Sequence, residues 1–145
     1  MTAITKQDPG TDATYDLGVI RLRLLVDSVQ TAGAWALGEF SGDEGVWTVP
    51  HVHAHHDESF YVLDGRFTFT LGDEQVLAGP GSFVRIGRDQ RHVIHAGPGG
   101  GRLLTLWVPG GLDQMFVELS RLPADSLRDP ATRRSLSARF DSKPV

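Results

Sequence analysis

Apolar residues recur at every second position along much of this chain, and that alternation restricts its fold more than any other feature. Ile20, Leu22, Leu24 and Val26 alternate with Arg21, Arg23 and Leu25, and Phe67, Phe69 and Leu71 alternate with Arg66, Thr68 and Thr70. A side-chain period of two belongs to a strand with one buried face. Further short β-rich runs cover residues 34–40, 46–49, 59–63, 75–78, 82–86, 91–95 and 103–108. Turn signals stand between them: Ser41-Gly42-Asp43, Asp64-Gly65, Gly72-Asp73, Gly79-Pro80-Gly81, Gly87-Arg88-Asp89 and Gly97-Pro98-Gly99-Gly100-Gly101. Many short strands at near-regular spacing predict an all-β sandwich or barrel.

The pattern changes after Pro109. Leu112, Met115, Phe116 and Leu119 have helical spacing, which predicts a helix over 111–122 packed on the barrel and ended by Pro123. A second short helix is expected within 125–140, with Asp125 or Asp129 as its cap. Residues 1–15 read as a flexible N-terminal arm, and the last five as a frayed end. Residues 16–145 are then one domain, of ordinary size for a single core.

All six histidines fall in two clusters, His51-Val52-His53-Ala54-His55-His56-Asp57-Glu58 and Arg91-His92-Val93-Ile94-His95. Imidazole nitrogens beside a carboxylate suit a borderline divalent ion. His51 and His53 are two apart and share one strand face. Glu58 opens the next strand after a reversal, and His92 on a later strand supplies a third imidazole. Three nitrogens and one oxygen leave coordination positions open, as catalytic rather than structural sites do. His55 and His56 read as solvated loop residues. His95, an odd number of positions from His92, is expected on the opposite face. Trp47, Phe60 and Val62 share the ligands' parity and are candidate walls of a substrate pocket. Phe67, Phe69, Phe83, Trp107 and Met115 read as core, and Tyr61 as an outer-face residue.

Composition narrows the chemistry further. The chain has no cysteine, which excludes disulfides, thiolate metal sites and a cysteine nucleophile. A net charge of -4 with no basic run gives no footprint for nucleic acid. The polar N-terminus lacks the apolar stretch of a signal peptide. No apolar run approaches the roughly 20 residues of a membrane span. A cytoplasmic protein with no membrane association is the expectation.

The spacing Gly45-x5-His51-x-His53-x4-Glu58-x6-Gly65 resembles the first motif of the cupin family at each defined position. The stretch from Gly81 to Ala96 resembles the second motif in part. Gly81 and His92 stand at the glycine and ligand positions, while Gly87, Asp89 and Ala96 replace the usual proline, glycine and asparagine. The resemblance implies a jelly-roll β-barrel with His51, His53, Glu58 and His92 as metal ligands. Within the family, HVHAHHDESFYVLDGRFTF, Val108-Pro109-Gly110-Gly111, the Phe116 helix and the tail 136–140 are most similar to single-barrel bacterial proteins of the quercetin 2,3-dioxygenase type.

That resemblance implies a metal-dependent dioxygenase acting on a flavonol-like or polyketide-like aromatic hydroxy-ketone. Dioxygen would be the co-substrate, and Glu58 would serve as ligand and as proton acceptor. Two alternatives stay open: a non-redox metal-dependent cyclase or isomerase of natural-product biosynthesis, and a small-molecule binder without turnover. The cofactor is one divalent transition metal, with Fe, Mn, Ni, Co, Cu and Zn all compatible with this donor set. Cupin barrels often pair through outer strands, which implies a homodimer with Arg21, Arg23 and Tyr61 near the contact.

Overall fold

The computed structural model describes residues 6, 8 and 13–145. Its strands are β1 (Thr14–Asp16), β2 (Ile20–Val26), β3 (Ala36–Gly42), β4 (Gly45–Val46), β5 (His51–Val52), β6 (Asp57–Leu71), β7 (Glu74–Ala78), β8 (Phe83–Ile86) and β9 (His92–Val108). Three short helices follow, α1 (Leu112–Ser120), α2 (Ala124–Arg128) and α3 (Pro130–Ser137), and then a last strand, β10 (Lys143–Pro144). All strand pairs are antiparallel.

Two long strands organise the barrel. The C-terminal half of β9 pairs with β3 on one side and with the N-terminal half of β6 on the other, and this wall continues through β2 and β1 at one edge and β8 at the other. The N-terminal half of β9 pairs with β4 and β5 on one side and with the C-terminal half of β6 on the other, and β10 and β7 extend this second wall. The apolar faces of both walls form the core around Leu22, Phe60, Phe67, Phe69, Leu103 and Trp107.

The glycine signals at Asp64-Gly65 and Gly97–Gly101 are not chain reversals, as the sequence predicts, but bends inside β6 and β9. Inward positions switch parity across each bend. In β6 they run Glu58, Phe60, Val62 and then Phe67, Phe69; in β9 they run His92, Ile94, Ala96 and then Leu103, Thr105, Trp107. The pairing register shifts twice in β6, between Val62 and Asp64 and between Gly65 and Phe67. Extra residues of this kind bend a strand and re-aim its side chains. Gly65, at φ 80, lies so close to β9 that a Cβ would stand 2.2 Å from the Gly100 carbonyl oxygen. Only glycine allows that approach.

The termini also depart from expectation. Residues 1–5, 7 and 9–12 of the expected arm lie outside the described residues. Thr14 and Tyr15, which the sequence places in that arm, belong to β1, and Tyr15 packs against the core. Helix α1 covers the predicted stretch but stops at Ser120, and Pro123 caps α2 rather than ending α1. Asp129 is the cap of α3, its carboxylate accepting from the Thr132 amide at 3.0 Å. The predicted frayed end is instead anchored: Lys143 and Pro144 pair with Val52 and His51, and the Val145 amide donates to the Pro50 carbonyl at 3.1 Å. Phe116 of α1 packs edge-on against Phe40 at 5.0 Å, seating the helix against the barrel. No helix among the described residues is long and apolar enough to cross a membrane.

Candidate metal centre

His51 and His92 face each other directly across β5 and β9, with ring centroids 4.1 Å apart. His53 follows one pleat beyond His51 and lies 4.7 Å from it and 5.2 Å from His92. Glu58, on the inward face of β6, brings its carboxylate to 3.6 Å from His53 Nε2 and 3.5 Å from His92 Nε2. All four side chains are buried, and their donor atoms lie within 4.8 Å of one another. His51, Glu58 and His92 occupy inward positions of their strands, and His53 keeps the same parity just past the end of β5.

Each imidazole is held from behind by a backbone carbonyl. His51 Nδ1 donates to Val49 at 2.7 Å, His53 Nδ1 to Asp141 at 2.6 Å, and His92 Nδ1 to Gln90 at 2.8 Å. A carbonyl only accepts, so each Nδ1 carries the proton and each Nε2 presents a lone pair. The Nε2 atoms of His53 and His92 are buried without a hydrogen-bond partner. Such orphaned atoms are rare in an interior, and a divalent cation is the group whose chemistry fits them.

Electrostatics favour the same state. Burial pushes the His51 imidazole down, His92 and His53 push it further, and together they outweigh Glu58 to set it at about 4. Burial pushes the Glu58 carboxyl up, but the close His92 contact and the charges of His53, His92 and His51 together prevail and hold it at about 2. At neutral pH the centre thus offers a lone pair from His51 and a full negative charge from Glu58. The Trp107 indole donates to Glu58 Oε2 at 2.7 Å in a fully buried contact. Trp107, read from sequence as plain core, therefore also orients this carboxylate across the Glu58–Trp107 pair of β6 and β9.

Asp141 gives the sequence no signal, yet it joins the histidine loop at four points. Its carbonyl accepts from His53, and its carboxylate accepts from the amides of Ala54 (2.9 Å) and His55 (2.6 Å) and from His56 Nδ1 (2.6 Å). His56 is consequently not the solvated residue its loop position suggests: only 12% of its side chain is exposed. His55 is exposed, and so is His95 on the outward face of β9. Tyr61 is 43% exposed on the outer face of β6.

A cavity of about 140 Å³ opens beside the four-residue cluster. Trp47 and Phe60 line it, together with Phe40, Ile94, Met115 and Phe116. Val62, one pleat beyond Phe60, is fully buried in the core and does not reach the cavity wall. The wall is completed by the C-terminal segment through Leu127, Arg133, Ser137, Ser142 and Pro144.

Comparison with known proteins agrees with this architecture. Quercetin 2,3-dioxygenase of Bacillus subtilis (strain 168) is 25% identical over 97 residues, which are 67% of this chain and 29% of that protein. The chain thus spans under a third of that relative's length. The solved structure of KdgF from Halomonas sp. superposes with a TM-score of 0.65 at 22% identity, covering 74% of this chain and 96% of that one. Pac13, described as a nucleoside dehydratase, superposes with a TM-score of 0.62 at 17% identity, covering 77% and 88%. At these identities the structural likeness speaks for the fold alone. Residues 40–109, which contain all four clustered side chains and the whole of β6 and β9, match the family described as "Cupin domain", and that match supports assignment of the chain to the cupin superfamily.

Proposed function

We propose that this chain is a metal-dependent cupin enzyme that oxygenates a small enolisable hydroxy-ketone, in the manner of a quercetinase-type dioxygenase. The observation that carries the metal-enzyme reading is the set of three back-braced imidazoles and one ionised carboxylate at the side of an apolar cavity, two of the imidazoles holding orphaned Nε2 atoms. The partial likeness to a quercetin dioxygenase supports the oxygenase subclass. His51, His53, His92 and Glu58 would hold the ion. When bound, the ion supplies Lewis acidity toward an enolate oxygen and, if redox-active, a route to dioxygen.

The chain's own groups define the rest. Trp47 and Phe60 offer flat apolar surface to an aromatic body and exclude water from one side of it. Glu58, oriented by Trp107, would serve both as a ligand and as acceptor of the substrate hydroxyl proton.

Elemental analysis of the purified protein, paired with oxygen uptake over a panel of flavonols and other aromatic hydroxy-ketones, tests the proposal. We expect one equivalent of metal and metal-dependent oxygen consumption with at least one compound. Turnover that continues unchanged without oxygen would replace the oxygenase reading with non-redox chemistry, and metal binding with no turnover would leave a small-molecule binder. A metal-free protein that takes up no added divalent ion would overturn the proposal outright.

A further inference from the structure

The cavity beside the metal centre is apolar apart from the metal-ligating residues and four other side chains, Thr48, Arg133, Ser137 and Ser142. Thr48 is already engaged, its Oγ1 accepting from the Ile94 amide at 3.0 Å. The remaining three come from the C-terminal segment. Arg133 and Ser137 are four apart on α3, so they share one helix face. Ser142 is buried immediately before β10.

Among the described residues, no side-chain hydrogen bond or ion pair engages any of these three. Arg133 is also the one arginine among the described residues that lines the cavity. The carboxylate one turn before Arg133 is committed elsewhere, since Asp129 accepts from the Thr132 amide and hydroxyl. Arg133 is exposed at the solvent end of the cavity, Ser137 is half-buried and Ser142 is buried, so one cation and two hydroxyls edge an otherwise apolar space, the pattern by which a cavity orients a ligand.

We propose that Arg133, assisted by Ser137 and Ser142, forms an oxyanion subsite, and that the substrate is a compact enolisable hydroxy-ketone bearing a carboxylate. The inference rests on the metal-enzyme reading above and adds the second charge. An enolate satisfies the metal centre, but it leaves Arg133 without a counter-ion. Guanidinium matches a carboxylate through two parallel N–H donors, and serine hydroxyls donate to the remaining lone pairs. Size points to a compact body: apolar cavities of roughly 150 Å³ enclose benzene, and this one is about 140 Å³. One ring with a carboxylate fills it better than the three rings of a flavonol. The barrel would then recognise the reacting end of the substrate, and the C-terminal segment its charged end.

The test uses cobalt(II)-loaded full-length protein and two single-ring probes, 3-hydroxy-4-pyranone and 5-hydroxy-4-oxopyran-2-carboxylate. They share the hydroxy-ketone and differ in the carboxylate. Titration is followed by the visible absorption of the bound ion, which also reports that the metal stays in place. We expect the carboxylate probe to bind wild-type protein about tenfold more tightly than the neutral one, as for a charge-assisted contact. Arg133→Gln should abolish that preference while leaving the neutral probe's affinity within about twofold, and Arg133→Lys should restore part of it. Arg134→Gln, which removes an adjacent exposed charge, should leave the preference intact. Equal binding of both probes by wild type would overturn the subsite while the metal-site reading stands. Loss of the preference in Arg134→Gln as well would overturn it in favour of diffuse charge. A centre that responds to neither probe would overturn both the subsite and the hydroxy-ketone reading.

Discussion

The barrel and the segment after Pro109 reach the same centre by different means. The barrel places His51, His53, Glu58 and His92 through strand pairing, so that inward parity delivers donor atoms to one spot. The C-terminal segment donates no ligand. It braces His53 through the Asp141 carbonyl, ties down the loop between His53 and Glu58 through the Asp141 carboxylate, and zips β10 onto the ligand strand β5. One region supplies the chemistry, and the other holds it in register. Groups that sit behind metal ligands commonly govern affinity nearly as strongly as the ligands themselves.

Removing a barrel ligand should give the largest effect. His92→Ala, or His51→Ala, should abolish stoichiometric metal by elemental analysis, while circular dichroism still reports a folded barrel. Metal content equal to wild type would refute the ligand assignment.

Acid should act first on the barrel side. His51 is lowered from 6.5 to about 4, so the folded state favours its neutral form. That stability is complete above 6.5 and erodes as pH falls toward 4. Each pH unit crossed in that window costs about 1.4 kcal/mol, so the loss approaches roughly 3 kcal/mol. Glu58, lowered from 4.5 to about 2, adds its own loss only below 4.5. Asp141 is also lowered from 3.8: burial opposes this, but His56 and the His55 and Ala54 amides prevail, so its contribution fades only below 3.8. The melting temperature of metal-free protein should therefore fall between pH 6.5 and 4.5. A flat profile there, with a drop only under pH 4.5, would remove His51 as the first acid-sensitive group and leave the loss to Glu58 and Asp141.

Asp141→Ala sharpens the division of labour. It should weaken metal affinity about 10- to 100-fold in a chelator competition, with a smaller change in the melting temperature of the metal-free protein. Equal losses of apo stability and no change in metal affinity would reduce Asp141 to a structural clasp. The smallest effect is expected at Asp129→Ala, an exposed helix cap whose carboxylate accepts from the Thr132 amide. It should lower thermal stability slightly and leave metal affinity unchanged. A matching loss of metal would show that α3 supports the centre more directly than its contacts indicate.

The same contrast explains what could be read from the chain. Ligands spaced two apart on a strand reveal their shared face without any tertiary knowledge, so His51 and His53 were legible, and motif spacing added Glu58 and His92. The bends in β6 and β9 were not, because glycine signals a turn and a bulge alike. Only the close approach of Gly65 to Gly100 distinguishes them. Trp107 as a partner of Glu58 needs the β6–β9 register, which no local pattern encodes. Asp141 meets His56 across 85 positions of sequence, with no period linking them. Val62 shows the limit of parity: it turns inward as predicted, but one pleat too far to meet the cavity.

The position of the chain's last strand carries a thermodynamic consequence. Ser142 lines the cavity, and its neighbour Asp141 holds the proton of His53 Nδ1. Any molecule that binds against Ser142 and steadies this strand also steadies an imidazole on the far side of the peptide bond. Linkage makes such an effect mutual: whatever factor the ion adds to ligand affinity, the ligand must return to the ion. Occupancy of the cavity and retention of the metal would then rise and fall as one equilibrium.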